Sequence, residues 1–231
     1  MLSVVVPSFQ EERRLGPTLD RLHAYLASRG QAFEILVVDD GSTDRTGDVA
    51  QGAATRWSEV RLLPLGRNRG KGAAVRAGVL DAKGDPILVT DADLSTPIEE
   101  LEKLQARLEA GADIAIGSRA LPESDLQVRQ NILRETMGKT FNRIVRGLGM
   151  LGFRDTQCGF KLYRAGPARD LFSRSRVDGF AFDVETLLLA DGLYRVDEVP
   201  VVWRNDAASR VSPLKDSLRM LRDVLRLKLR R

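Results

Sequence analysis

The chain is poor in the side chains that most often announce chemistry: among 231 residues it has one histidine, His23, and one cysteine, Cys158. A lone cysteine excludes an intramolecular disulfide and is compatible with a reducing cytoplasm. With one histidine there is no histidine cluster for zinc and no Ser-His-Asp set for hydrolysis. His23 itself falls inside a helical repeat, where a structural or solvent-facing role is expected. Long apolar runs are missing too, since none approaches the roughly 20 residues that cross a bilayer. The first residues run straight into a strand, so neither a signal peptide nor an anchor is expected. Glycine is absent from Pro7-Ser8-Phe9-Gln10-Glu11, the segment after that strand, which excludes the dinucleotide-binding fingerprint. Internal repeats and low-complexity tracts are absent as well. A net charge of +4 is too small to name a partner, although residues 212–231 are strongly basic.

What is present is a regular alternation of strand and helix. Hydrophobic residues make up 43% and charged residues 29%, enough for a sizeable core in a soluble chain. Apolar runs predict strands over 2–7, 33–38, 60–63, 87–90 and 113–117. Between them, helical periodicity predicts helices over 11–28, after Gly72 and from Pro97 to Ala110, with Ser42 or Thr43 capping the helix after the second strand. Short strand–helix spacing implies right-handed βαβ units, hence an α/β fold with a mostly parallel central sheet flanked by helices. Beyond Ser118 the rhythm changes. Residues 120–130 read as a polar connection, 132–147 as a helix, and 147–152 as a hinge or tight turn. A compact polar and aromatic stretch spans 155–164, with helices near 167–172 and 183–189 and one or two strands over 195–203. No linker interrupts this half.

Acidic residues gather where the predicted strands stop. Ile87-Leu88-Val89-Thr90 runs into Asp91-Ala92-Asp93, and the second strand ends in Asp39-Asp40. Parallel sheets bind ligands at the carboxyl ends of their strands. Two carboxylates one residue apart suit a hard divalent cation that bridges to phosphates. Neighbouring carboxylates repel, so the cluster needs a cation, hydrogen-bond donors or raised pKa values. Gly66-Arg67-Asn68-Arg69-Gly70-Lys71-Gly72 resembles a Walker loop but is one residue short, and Gly72 replaces the hydroxyl that would hold magnesium. Lys71 at a helix start nevertheless suits a diphosphate. The pattern favours a metal-dependent transferase over a hydrolase or an NTPase.

Five stretches in order resemble the family 2 glycosyltransferases of the GT-A fold: residues 5–11, 37–44, 68–72, Thr90-Asp91-Ala92-Asp93 and Gly117-Ser118-Arg119. Asp155-Thr156-Gln157-Cys158-Gly159-Phe160-Lys161 and Phe180-Ala181-Phe182-Asp183-Val184-Glu185 resemble the dolichyl-phosphate β-glucosyltransferase branch more than the mannosyl one. The resemblance implies an inverting hexosyltransferase with UDP-glucose as donor, a polyprenyl phosphate as acceptor, and Mg2+ or Mn2+. It implies that Pro7, Phe9, Glu11, Asp39 and Asp40 line the uridine pocket and that Lys71 lies beside the donor. Asp91, Ala92 and Asp93 would hold the diphosphate, with Asp91 and Asp93 on the metal. Arg119 and Arg134 match arginines placed for the acceptor phosphate, with Gln157 and Lys161 on the acceptor side. Arg204 and Arg210 match a late basic loop over the donor, and Asp183 matches a base or positioning residue. Direct displacement needs no covalent step, which leaves Cys158 without a nucleophilic role. Phe9, Gln10 and Arg210 stand where tyrosine, asparagine and lysine are usual.

The expected organisation is a GT-A domain over 1–211, divided into a nucleotide-sugar half (1–118) and an acceptor half (119–211), then a basic amphipathic helix over 212–231. In that helix Leu214, Leu218, Leu221 and Leu225 form a stripe flanked by Met220, Val224 and Leu227, with Lys215, Arg219, Arg222 and Arg226 opposite. Such a helix packs on the core, makes a homodimer contact, or lies on an anionic membrane. The last implies a protein peripheral to the cytoplasmic membrane face without a span. Lacking interleaved aromatics, the tail is a poor nucleic-acid reader. Two alternatives stand beside this reading: a transferase with a soluble or cell-wall acceptor, and a non-catalytic nucleotide-sugar-binding protein.

Overall fold

A computed structural model describes residues 1–128, 145, 147, 152–204 and 213–229. Its first half follows the predicted alternation: β1 (Leu2–Ser8), α1 (Leu15–Ser28), β2 (Phe33–Asp39), α2 (Thr46–Arg56), β3 (Val60–Pro64), α3 (Lys71–Asp81), β4 (Ile87–Val89), α4 (Leu101–Glu109, after a 3₁₀ turn over Ile98–Glu100) and β5 (Ile114–Ser118). The second half contributes β6 (Asp125–Val128), β7 (Lys161–Tyr163), α5 (Ala165–Arg174), α6 (Phe182–Ala190), β8 (Val196–Pro200), β9 (Val202–Arg204) and α7 (Pro213–Leu229).

Seven strands form one sheet in the order β3-β2-β1-β4-β7-β5-β8. Every pairing is parallel except the two made by β7, which runs antiparallel to β4 and β5. Along β1, Val4 and Val6 face one core with Leu15, Leu19 and Leu22 of α1, while Val5 faces another with Val75 of α3 and Val184 of α6. Both faces are covered, which is why these strands are continuous apolar runs rather than alternating ones.

Strand order determines where the site lies. From β1 the chain builds β2 and β3 to one side, then crosses to place β4 on the other. The crevice beyond the carboxyl ends of β1 and β4 is a topological switch point, the place such sheets bind ligands.

Two stretches differ from expectation. Residues 120–130 are not merely a connection, because β6 forms there and pairs in parallel with β9. The 155–164 stretch supplies β7, the sheet's only reversed strand among the described residues. Neither Ser42 nor Thr43 caps α2. Ser42 accepts from the Gln10 amide and Thr43 from the Gln10 side chain, while Asp44 takes the Thr46 N–H at 3.0 Å. The expected helix over 132–147 and the hinge over 147–152 lie outside the described residues, apart from residues 145, 147 and 152.

Among the described residues no helix is long and apolar enough to cross a membrane. His23 is structural, stacked on Trp57 with ring centroids 4.3 Å apart.

Candidate active site

A cleft of about 890 Å³ opens at the switch point. Its floor is built from strand ends: Pro7 and Ser8 close β1 and Phe9 follows it, Asp40 follows β2, and Asp91 and Ala92 follow β4. Gly70, Lys71 and Ala74 bring in the start of α3, and Arg219, Met220, Arg222 and Asp223 of α7 also line it. Of the residues expected at the donor, Pro7, Phe9, Glu11, Asp40, Lys71, Asp91 and Ala92 meet here.

Lys71 opens α3, and its Nζ lies 2.6 Å from Asp91 Oδ1. Burial works to depress the lysine, but the carboxylates of Asp91, Asp183 and Asp93 outweigh it and hold the ammonium above its ordinary range. Asp40 sets this helix start, its two oxygens accepting from the Arg69 and Gly70 amides at 2.7 and 2.8 Å. Asp40 thus acts on the loop, and burial raises its carboxyl despite those bonds. Gly70 has φ +103° and packs against the Asp178 carbonyl, a conformation and a space that only glycine fits well. Asp39 is buried, is not among the cleft-lining residues, and accepts from the Ser42 amide at 3.1 Å.

Asp93 is not among the cleft-lining residues: its Oδ1 accepts from Ser95 N–H at 2.9 Å and its Oδ2 lies 3.9 Å from Arg14, which lines the cleft. Arg14 also clasps Glu11 through two bonds of 2.6 and 2.5 Å, so one guanidinium ties the β1 loop to the β4 loop. Leu94 follows at φ +46°, an unfavourable conformation for a branched side chain of the kind that clusters at functional sites. Burial, with Asp91 next, pushes the Asp93 carboxyl above the usual range. Lys71 pairs closely with Asp91, whereas the nearest cation to Asp93 among the described residues is Arg14 at 3.9 Å, a local deficit of positive charge. A divalent cation fits that deficit, and oxygen ligands suit it. Among the described residues no three ligating side chains converge.

The acceptor-side residues are distributed differently from expectation. Lys161 is only 2% exposed, and its Nζ donates to Asp183 Oδ1 at 2.5 Å and to the Cys158 carbonyl at 2.6 Å. An ammonium so enclosed supports Asp183 rather than facing an acceptor. Burial raises Asp183 above the carboxylate range, against the pull of Lys161 and Lys71. Arg119 presents Nε and Nη2 to Asp155 at 2.7 and 2.9 Å, and its guanidinium lies 5.6 Å from the Trp203 ring centroid. Burial alone would raise Asp155, but Arg119 outweighs it and holds the carboxyl at about 2. Gln157 reaches α7, with Nε2 3.9 Å from Met220 Sδ. Arg204 donates its backbone N–H to Ser95 and its Nε to Gln127. Arg134 and Arg210 lie outside the described residues. Cys158 is buried and its thiol is pushed up by that burial, which is incompatible with a nucleophile.

Arg14 is a participant that the sequence did not single out. The roles of Asp155 and the α7 residues depend on partners distant in the chain, and Gly159 matters for what touches it. A Cβ built there would fall at 2.8 Å or less from all three carboxyl heavy atoms of Asp91.

The glycosyl transferase family 2 model matches residues 3–172, most of the chain and all of the cleft floor. The chain belongs to glycosyl transferase family 2. It is similar to the dolichyl-phosphate β-glucosyltransferase of Drosophila melanogaster, with 40% identity over 237 residues covering 96% of this chain and 73% of that protein. Similarity to the Mus musculus protein of the same name is 39% over 243 residues, covering 99% and 75%. Among solved structures, glucosyl-3-phosphoglycerate synthase from Mycobacterium tuberculosis, in complex with Mn2+, UDP and phosphoglyceric acid, superposes with a TM-score of 0.72 at 22% identity. That superposition covers 100% of this chain and 78% of that one. At that identity the likeness speaks for the fold, which is GT-A. The family assignment and these relatives together indicate a hexosyltransferase.

Proposed function

We propose that this family 2 glycosyltransferase moves glucose from UDP-glucose onto a polyprenyl phosphate, with inversion, at the cytoplasmic face of a membrane. One observation carries the reading: Phe9, Lys71 and Asp91 converge on a single cleft at the switch point of the sheet. The half-exposed Phe9 ring offers a face to a base, and Lys71 at the start of α3 offers charge to a diphosphate. Similarity to proteins named for glucosyl transfer to dolichyl phosphate supports the donor and the acceptor class.

In this reading Lys71 offsets the charge growing on the departing UDP, a preorganised electrostatic contribution to the transition state. Asp91 and Asp93 would hold Mg2+ or Mn2+, which when bound supplies Lewis-acid charge at the diphosphate. The acceptor phosphate is already anionic near neutral pH, its second pKa being about 6. It needs positioning more than proton removal, so Asp183, fixed by Lys161, acts as a positioning residue rather than an obligatory base. Arg119, held by Asp155, contributes positive potential near Asp91.

The assay is direct. Full-length protein, given a panel of sugar nucleotides and a polyprenyl phosphate with Mg2+ or Mn2+, is expected to release UDP from UDP-glucose and form a glycolipid. Asp91→Asn and Asp93→Ala should each lower turnover by about a hundredfold or more. Undiminished consumption of UDP-glucose in both variants would overturn the catalytic reading.

For the membrane contact we assign the outer face of α7. Its inner face is ordinary core packing: Met220 and Val224 are buried and Leu227 packs beside them, whereas Leu225 and Leu229 are 45% and 87% exposed. These leucines stand beside Arg226 and Lys228, and each basic residue near an anionic surface contributes about 1 kcal/mol. Leu225→Ser/Leu229→Ser protein should co-sediment far less with vesicles rich in phosphatidylserine. Equal sedimentation of both proteins would remove this face from the contact. Removing the whole helix is a poorer test, because it would also open the core at Val224.

A further inference from the structure

The inner wall of α7 carries charge that donor binding does not explain. With Met220 and Val224 packed against the core, Arg219, Arg222 and Asp223 line the cleft, as do Phe9 and Asp91. The other cations lining the cleft among the described residues are already engaged: Lys71 with Asp91 at 2.6 Å, and Arg14 with Glu11 at 2.5 Å. Among the described residues Arg222 pairs with its neighbour Asp223 alone, at 3.6 Å and with 61% of its side chain exposed. For Arg219, also exposed, no carboxylate lies within ion-pair distance among the described residues.

Two guanidinium groups one turn apart, on the rim of a cleft whose floor suits a diphosphate, form a second anion-binding element. A phosphate monoester brings a charge of about −1.5 to −2 close to the donor's own diphosphate. That approach needs cations not already committed to the donor. Arginine suits it, since its planar fork binds phosphate oxygens in pairs. Helical geometry adds the second half of the ligand. Arg222, Leu225 and Leu229 stand at i, i+3 and i+7, on one stripe that runs about 10 Å outward from the cleft rim.

We infer that Arg219 and Arg222 receive the acceptor's phosphate monoester, with its isoprenoid chain leaving along the exposed Leu225 and Leu229 toward the bilayer. This rests on the acceptor being a polyprenyl phosphate. One helix then serves as acceptor clamp, core element and membrane face.

The test is steady-state kinetics of the full chain with UDP-glucose. One arm uses a long polyprenyl phosphate in mixed micelles, and the other a short-chain isoprenyl phosphate free in solution. In Arg219→Gln/Arg222→Gln the KM for both phosphates should rise about tenfold or more, with kcat and the KM for UDP-glucose within twofold. Arg219→Lys/Arg222→Lys should recover part of the loss, since lysine keeps the charge and loses the fork. Each single Gln variant is read in the same way should the double variant melt at a lower temperature. An unchanged acceptor KM, or a matching rise in the KM for UDP-glucose, overturns the clamp while leaving the proposed activity standing. Failure of the unmodified protein to glucosylate either phosphate, with turnover on a soluble sugar instead, overturns the activity and the clamp together. A rise confined to the long-chain arm would assign the arginines to micelle attachment and also overturn the clamp.

Discussion

Gly159→Ala is expected to lower UDP-glucose turnover about a hundredfold while leaving the protein folded. The added methyl must occupy space now filled by the Asp91 carboxylate, at 2.8 Å or less from each of its three heavy atoms. Real side chains do not approach so closely, so something has to move. What moves is the end of a flexible side chain at the cleft surface, not backbone or core. Displacing Asp91 breaks its 2.6 Å contact with Lys71 and separates the two groups proposed to face the diphosphate. A misplacement of about 1 Å at a reacting centre costs roughly that hundredfold, whereas stability should change little. Thermal melting alongside turnover and UDP affinity separates the two effects. Activity within threefold of the original, with melting unchanged, would mean that Asp91 tolerates the shift and is not held in place by this contact.

The second large effect concerns stability. Lys161 and Asp183 form an ion pair on β7 and α6 with both side chains nearly enclosed, 2% and 6% exposed. Lys161→Met removes one partner and leaves the other charge without compensation, which costs about 3–5 kcal/mol. For a chain of this size that is a fall in melting temperature of roughly 10 °C. Lys161→Met/Asp183→Leu should regain much of it, because an apolar pair of similar volume carries no desolvation cost. The deficit should also depend on pH. Burial already raises the Asp183 carboxyl, and without Lys161 only Lys71 still pulls against it, while Asp91 adds to the rise. A carboxyl raised on folding binds its proton more tightly in the native state. Its contribution is then most favourable below the unfolded value of about 4 and is lost as pH climbs through the folded one. Lys161→Met should therefore be closer to the original protein at pH 5 than at pH 8 in urea unfolding. Equal deficits at both pH values would assign the loss to packing alone.

Much of this protein is legible in one dimension because its sheet is covered on both faces. That burial makes β1, β2, β4 and β5 continuous apolar runs, and parallel connection puts a helix after each of the first three. The acidic strand ends follow directly, as does the position of Lys71 at the first residue of α3. β7 escaped notice because it is three residues long and includes a lysine, a composition acceptable in a sheet only when a distant Asp183 neutralises it. β6 escaped because its sequence, Asp-Leu-Gln-Val, takes its meaning from pairing with β9, more than seventy residues away.

Local order alone thus settled the fold class, the family and the strand ends that floor the cleft, since each is written in short stretches of sequence. Folding decided which of those groups meet: Asp40 on the loop amides, Arg119 on Asp155, Lys161 on Asp183, and Asp91 resting on Gly159. It also brought α7 from the far end of the chain to wall the cleft, choosing Met220 and Val224 as the inward face over the neighbouring Leu225. Periodicity names the residues of an amphipathic helix, but the angle at which it docks depends on the shape of the surface that receives it. That shape exists only once the sheet has closed.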